Sequence, residues 1–395
     1  MPAPVPRVAL IGVSGYGRIY LELAQAAQSR GEMRLVAAVI INAQEESAIE
    51  AHLRQTGTRI YRDYAEMFCA ESGQLDLCLI PTGIPWHARM TIAALHAGCH
   101  VLVEKPLAGS LSEVVAIRAA EQNTRRFVAV GFQDLYSPVN RWLKQQLCTG
   151  AIGRLHTVRF LGLWPRPTTY FTRNAWAGRL HAQGIPVLDS PLNNAFAHFV
   201  NLCLYFAGTE LDTGATVQIE SAELLRANAI ESFDTSVVKA RSASGISFWF
   251  GASHTCREIR EPEIYLEGTG GRVEWKHEQS CTLFRVNQQS EVRPLPDITA
   301  NRQSMFKAAL NKVHLPDTVV CTTALAEGHT AFVEAVHAAA PVQTVPASLI
   351  RWEILPNIVA AVPVVQGLEE AITRAFANQT LLKQNGFTLA APSTP

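Results

Sequence analysis

Val8-Ala9-Leu10-Ile11-Gly12-Val13-Ser14-Gly15-Tyr16-Gly17-Arg18 joins a short apolar run to a helical pattern through three glycines. A run that is continuous rather than alternating is expected of a strand buried on both faces. The glycines then fall where a strand-to-helix turn lets the backbone approach a pyrophosphate at a helix N-terminus. Against the G-x-G-x-x-G spacing, Gly12 and Gly17 hold the first and third positions, Ser14 replaces the second, and Gly15 is extra. Ser14 is small, and its hydroxyl suits a phosphate hydrogen bond. Gly12, Ser14, Gly15, Tyr16 and Gly17 therefore form a candidate cofactor-binding turn.

Outward from this turn, similar runs recur at Leu35–Ile41, Leu75–Ile80, His100–Val103 and Phe127–Val130. Helical patterns separate them at Arg18–Arg30, His87–Ala97 and Ser110–Glu121, the first two closed by Gly31 and Gly98, where glycine suits a left-handed cap. Such alternation predicts an α/β fold with a doubly wound parallel sheet. After a helix at Pro138–Leu147 the texture changes to strands at Leu155–Leu163, Thr216–Leu225, Thr235–Ala240, Ile246–Phe250, Glu263–Glu267 and Arg272–Lys276. Ser242–Gly245 and Gly268–Gly271 read as hairpin connections. The expectation is a dinucleotide-binding domain at 1–133 and a substrate-binding and oligomerisation α+β domain at 134–395 with a large, mostly antiparallel sheet. Helices are expected at Asn193–Phe206, Thr322–Ala338 and Ile354–Ala377, and a frayed tail at Ala390–Pro395.

Composition narrows the function. The 395 residues carry 34 Lys and Arg against 34 Asp and Glu, so no basic excess points to nucleic acid or an anionic membrane. Met1–Arg7 lacks a basic segment followed by an apolar run, so no secretory signal is read and a cytoplasmic location is expected. Ile354–Val365 is broken by Pro356, Asn357 and Pro363 and falls short of the ~20 residues of a membrane span, so it reads as buried core. The eight cysteines show no two-residue spacing and read as buried free thiols. His181 and His198 stand far apart with no acid or histidine at ligand spacing, and no metal site is expected.

An acidic residue about 20 residues beyond the glycines holds the adenosine ribose of NAD in dinucleotide folds. Here the second strand ends Ile40-Ile41-Asn42-Ala43-Gln44, with Glu45 the first acid. Asn42 or Gln44 suits a ribose hydroxyl, and no arginine marks a 2′-phosphate site, so NAD and NADP both stay open.

Pro81-Thr82-Gly83-Ile84-Pro85-Trp86-His87 follows one strand, and Val103-Glu104-Lys105-Pro106-Leu107 ends the next. With the glycine turn, with Val130-Gly131-Phe132-Gln133 and with Gly150-Ala151-Ile152-Gly153, these segments strongly resemble the Gfo/Idh/MocA oxidoreductase family. The resemblance implies a Rossmann-type first domain, a nicotinamide cofactor, and cofactor contacts from Thr82, Pro85, His87, Glu104, Lys105, Pro106 and Gln133. It also implies a homodimer or homotetramer paired through second-domain sheets. Oxidising a secondary alcohol needs a base for the hydroxyl proton and a cation for the developing alkoxide. Lys105 supplies the cation, and Pro106 helps to seat the nicotinamide.

The family's second site element is a helix carrying aspartate and histidine four residues apart, on one face. His198, followed by Asn201 and Gly208, fits the histidine register, but the position four before it is Asn194. Asp189 lies nine before, and Pro191 argues against a continuous helix between them. Either an insertion keeps Asp189 in the site or Asn194 has replaced the acid, and base duty then falls to His198, since asparagine takes no proton. Asn193 and Asn194 also suit a helix-start cap.

Between Trp164 and Arg179, aromatic rings alternate with Arg and Asn donors, a texture that suits a sugar or an interface. Arg166, Tyr170, Trp176 and Asn193 are the candidate substrate residues. The function expected is hydride transfer between NAD or NADP and a secondary hydroxyl of a sugar, sugar derivative or cyclitol. Two other readings stand beside it: an NAD-dependent redox-neutral glycoside hydrolase, and a non-catalytic sugar- or nucleotide-sensing protein on the same fold.

Overall fold

The structure, a computed structural model, describes residues 4–389. The tail expected at Ala390–Pro395 lies outside the described residues, as do Met1, Pro2 and Ala3. Two compact units emerge, residues 4–136 with 298–327, and residues 137–297 with 328–389. The division read at 133/134 therefore falls at 136/137, and a segment assigned to the second domain belongs to the first. The cause is a long-range seam within the first unit: the Val130 amide donates to the Cys321 carbonyl at 2.9 Å, and Asn301 Nδ2 to Asp134 Oδ1 at 3.1 Å.

The first unit carries β1 (Arg7–Ile11), α1 (Gly17–Ser29), β2 (Arg34–Val39), α2 (Ser47–Gln55), β3 (Arg59–Tyr61), α3 (Tyr64–Ala70), β4 (Leu77–Ile80), α4 (Ile84–His96), β5 (His100–Val103), α5 (Leu111–Thr124) and β6 (Val128–Val130). All six strands are parallel in the order β3-β2-β1-β4-β5-β6, the doubly wound order of a dinucleotide fold. Every residue of β4 is buried, as expected of a strand with helices on both faces. Gly31 and Gly98 take φ of 73° and 85°, the left-handed values required just past α1 and α4.

The second unit continues with α6 (Pro138–Cys148), β7 (Leu155–Leu163), a single helical turn α7 (Thr168–Phe171), a two-residue ribbon β8 (His181–Ala182) and β9 (Ile185–Pro186), and α8 (Ala197–Phe206). Strands β10 (Val217–Arg226), β11 (Thr235–Ser242), β12 (Ser247–Ser253), β13 (Arg260–Gly268), β14 (Gly271–Lys276), β15 (Ser280–Arg285) and β16 (Glu291–Pro294) follow. Then come α9 (Ile298–Lys312), within the first unit, α10 (Thr323–Ala339), β17 (Val342–Thr344), β18 (Ile350–Glu353), β19 (Val362–Val365) and α11 (Leu368–Asn378). The large sheet runs β16-β15-β14-β13-β7-β12-β11-β10-β17, antiparallel except at β7–β12 and β10–β17.

Strand β7 explains the layering. Its Phe160 meets Phe196 and Phe199 at the start of α8, and Gly162 leaves no room for a Cβ against the Phe196 ring. Leu161 and Leu163 join a separate core with Leu368, Ile372 and Phe376 of α11. The period of two along the strand thus delivers one side chain to α8 and the next to α11.

Five expectations need correction. The helix read at Asn193–Phe206 begins at Ala197, because Asn193 Nδ2 reaches back to the Val187 carbonyl at 2.8 Å and holds the chain in turns after Pro191. Neither asparagine caps the helix, whose N-cap residue is Phe196. Ile354–Ala377 is not one helix: Pro356 and Pro363 favour extended chain, so β18 and β19 form a hairpin and only Leu368 onward coils. Of the run read as buried core, Val362, Val364 and Val365 are buried whereas Ile354 and Val359 are exposed. Cys69 and Cys148 are exposed, unlike the other six thiols.

Lys144 of α6 is fully buried and its ammonium donates to three carbonyls, Tyr205 at 2.6 Å, Gly208 at 2.7 Å and Thr213 at 3.1 Å. It thereby closes the C-terminal end of α8, whose last carbonyls need donors. Lys144→Met is expected to lower stability by about 3 kcal/mol, since buried carbonyls lose a charged donor. An unchanged urea midpoint for the second unit would rule this out.

Candidate functional site

The carboxyl ends of parallel strands share one edge of a sheet, and that edge collects most of the candidate cofactor residues. At the end of β1, Gly12 and Gly15 take φ of 91° and 55°. A Cβ on Gly17 would collide with the Gly12 carbonyl oxygen, so the turn closes only with glycine there. Open space lies where a Gly15 Cβ would project, and among the described residues the amides of Val13, Ser14, Gly15 and Tyr16 have no acceptor within the protein. A tight, glycine-lined turn with spare amides at the start of α1 fits a pyrophosphate. Asn42 is exposed just past β2, the strand beside β1, where a ribose would be read.

At the end of β5, Glu104 is buried with both oxygens engaged: Tyr20 Oη donates to Oε1 at 2.8 Å and the Lys105 amide to Oε2 at 3.0 Å. Burial raises its carboxyl above the usual range, against the pull of Lys105 and these hydrogen bonds. The Lys105–Pro106 peptide is cis. His87 of α4 is also buried, with Nδ1 at 2.7 Å from the Pro106 carbonyl and Nε2 at 2.9 Å from the Thr82 carbonyl. Its place is structural: the ring ties the loop after β4 to the loop after β5, and burial lowers its pKa. Pro85 opens α4, where a missing N–H costs nothing.

Sequence reasoning missed Arg302 of α9. Its Nε lies 3.2 Å from Tyr16 Oη and 3.3 Å from Gln133 Oε1, and its guanidinium sits 5.3 Å from the centre of the Tyr16 ring. Tyr16, half-buried, is pushed up by desolvation first and then by Glu104. The segment 298–327 thus delivers a cation to the glycine turn from far along the chain. No local spacing could have announced it.

The second unit holds the other candidates. Asp189 is buried; its Oδ2 accepts the Gly178 amide at 2.6 Å and its Oδ1 accepts Asn194 Nδ2 at 2.9 Å. The Asp189 amide also bonds the Arg179 carbonyl at 3.0 Å, which ties the residue to the loop ahead of β8. Asp189 and Asn194 are therefore joined by a hydrogen bond. His198 stands in the first turn of α8, half-buried, with Asn201 three residues on and buried. Lys105 belongs to the first unit, and Asp189, Asn194 and His198 to the second.

The aromatic stretch is packed on itself. Trp164 stacks on Phe196 at 4.7 Å and donates from Nε1 to Glu261 at 3.1 Å. Arg166 lies 5.0 Å and Arg173 3.7 Å from the centre of the Tyr170 ring, and Trp176 is 5.6 Å from Arg173. Asn174 Oδ1 caps the turn by accepting the amides of Trp176 and Ala177. A cavity of about 500 Å³ opens beside this loop, lined by Phe171, Asn174, Arg179, Asn228 and Glu231 among others. Asn193 spends its amide on backbone carbonyls rather than facing outward. Among the described residues, no group of three His, Cys, Asp or Glu side chains is placed to hold a metal, and no helix is long and apolar enough to cross a membrane.

Comparison with known proteins agrees with this geometry. Residues 6–132 match the Gfo/Idh/MocA oxidoreductase family, described by its NAD-binding Rossmann fold. The 4-carboxy-2-hydroxymuconate-6-semialdehyde dehydrogenase of a Sphingobium species is 26% identical over 53% of this chain and 61% of its own length. The myo-inositol 2-dehydrogenase of Thermotoga maritima is 23% identical over 71% of this chain and 79% of its own. The crystal structure of the WlbA dehydrogenase from Bordetella pertussis, in complex with NADH and UDP-GlcNAcA, superposes with a TM-score of 0.72 at 19% identity, covering 86% of this chain and 96% of that one. Residues 6–132 thus match the NAD-binding Rossmann domain of the Gfo/Idh/MocA oxidoreductases, and over these residues the resemblance read from the sequence is supported.

Gly17→Ala tests the turn. Forcing the Gly12 carbonyl aside is expected to weaken NAD or NADP binding at least about tenfold, or ~1.4 kcal/mol, in a direct titration. Binding equal to that of the parent would contradict this assignment of the turn.

Proposed function

We propose that the protein is an NAD(P)-dependent oxidoreductase acting on a secondary hydroxyl of a sugar, sugar derivative or cyclitol. The observation that carries the reading is the hydrogen-bonded pair Asp189–Asn194 just before the helix of His198. It restores a carboxylate to a segment whose sequence had put asparagine at the acid's position. The myo-inositol substrate named for the Thermotoga relative and the sugar nucleotide bound to WlbA support the substrate class.

A bound nicotinamide supplies the hydride acceptor, and the protein must handle the proton. His198 is the base for the hydroxyl proton, an imidazole being able both to take that proton and to return it. Lys105 steadies the negative charge that grows on oxygen as the C–H bond breaks. Asp189, held by Gly178 and Asn194, contributes the negative field that favours an imidazolium. Glu104 and His87 position the Lys105–Pro106 segment from behind.

The test is a panel of sugars, cyclitols and aryl glycosides with NAD or NADP, reading reduced nicotinamide and freed aglycone in parallel. Reduced nicotinamide is expected, with a loss of ~10²–10⁴-fold in turnover for Lys105→Ala or His198→Ala. A loss under about tenfold for both variants would refute the assigned roles. Aglycone without reduced nicotinamide would replace the reading by redox-neutral glycoside cleavage.

A further inference from the structure

Two arginines of the loop after β7 converge on one phenol ring. Arg166 lies 5.0 Å from the Tyr170 centroid and 5.6 Å from that of Trp164; Arg173 lies 3.7 Å from Tyr170 and 5.6 Å from Trp176. Among the described residues neither guanidinium has an Asp or Glu within salt-bridge distance, whereas Arg179, on the same loop, pairs with Glu231 at 2.8 Å. Arg173 does donate to the Tyr170 carbonyl. Arg166 Nε is shielded from solvent with no acceptor.

This arrangement is costly as it stands. A shielded N–H without an acceptor loses its water and gains nothing, and two like charges at one ring repel. The ring faces repay part of this through cation–π attraction, which leaves Arg166 Nε without an acceptor while the exposed Arg173 keeps N–H groups that water can reach. An oxyanion would satisfy both, because a guanidinium matches a carboxylate or phosphate through paired N–H donors. The surroundings keep the region cationic. His254, whose Nδ1 lies 2.8 Å from the Trp164 carbonyl, is held neutral by burial and then by Arg166 and Arg173. Asp189 acts on the Tyr170 phenol together with the same two arginines, while its oxygens accept hydrogen bonds from Gly178 and Asn194 rather than from either guanidinium in any bond described.

We infer that Arg166 and Arg173, braced on Tyr170, form a receptor for an anionic group of the substrate, so that the compound oxidised is a sugar acid or a sugar phosphate rather than a neutral sugar. The inference rests on the reading of the protein as a sugar or cyclitol oxidoreductase, and deepens it by naming the substrate's charge. The stacked rings fix the two forks in advance, which lowers the entropy lost on binding. Arg166 was singled out by its sequence neighbourhood; Arg173 joins it only through the fold.

The experiment measures binding of glucose, glucuronate and glucose 6-phosphate to the full chain with NAD present, by calorimetry, alongside reduced nicotinamide. At least one anionic probe is expected to bind tenfold or more tightly than glucose, and to weaken as salt is raised. Arg166→Gln and Arg173→Gln should each shrink that preference about tenfold, with Arg173→Lys falling between because it keeps charge without the fork. Far-UV circular dichroism and the urea midpoint identify a variant that fails to fold, in which case the lysine variant and the salt dependence of the parent decide. Glucuronate preferred over glucose 6-phosphate marks a carboxylate, and the reverse a phosphate. Equal binding of neutral and anionic probes, or no arginine-dependent binding of any, overturns the receptor. Arginine-dependent anion binding without reduced nicotinamide sinks the oxidoreductase reading instead, and leaves the anion site standing.

Discussion

Glu104 leaves the end of β5 for the interior, where Tyr20 of α1 donates to one oxygen and the Lys105 amide to the other. Gly131, just past β6, approaches so closely that a Cβ would stand 2.7 Å from Glu104 Oε1. One buried carboxylate therefore joins α1, which opens at the glycine turn, to the segment carrying Lys105 and to the end of the next strand. Removing such a group would strand its donors in a region without water, at a cost of about 1–3 kcal/mol for each. His87 repeats the device one strand over, tying the loop after β4 to Pro106. Arg302 completes it from outside by holding Tyr16 and Gln133. The cofactor edge is thus assembled from loops that are individually short and jointly over-determined.

The second unit solves a different problem. Asn194 stands one turn ahead of His198, the histidine of α8. The chain turns after Pro191 instead of coiling, and Asn194 reaches back to Asp189. The Asp189 carboxylate is thereby joined to the segment that leads into α8. Its position is held by the Gly178 amide and by the backbone pairing of Asp189 with Arg179, which tie it to the loop that carries the unpaired arginines.

How much of this was legible follows from how each element signals itself. Strands β5 and β7 read correctly to the residue, β5 from a short apolar run and β7 from a β-rich stretch that follows the Gly150–Gly153 turn. The three residues of β3 are too few and too polar to stand out, and α9 has no apolar stripe to reveal it. Ile354–Ala377 misled because apolar composition alone does not separate a strand from a helix. Asp189, Asn194 and Lys105 could be named from the sequence; the hydrogen bond from Asn194 to Asp189 could not, since it depends on where the chain turns. Arg302 and Arg173 could be found only in three dimensions, one through contacts across the first unit and the other through the ring it shares with Arg166.

The central claim is that a hydride leaves a secondary carbon of the substrate for the nicotinamide on this protein. A substrate deuterated at that carbon, incubated with the protein and oxidised cofactor, tests it by mass spectrometry of the recovered nicotinamide. The account predicts that the deuterium appears on the reduced nicotinamide, and more slowly than hydrogen does. Turnover of the same compound with no deuterium in the nicotinamide, or no turnover of any deuterated sugar acid, sugar phosphate or cyclitol, would contradict it.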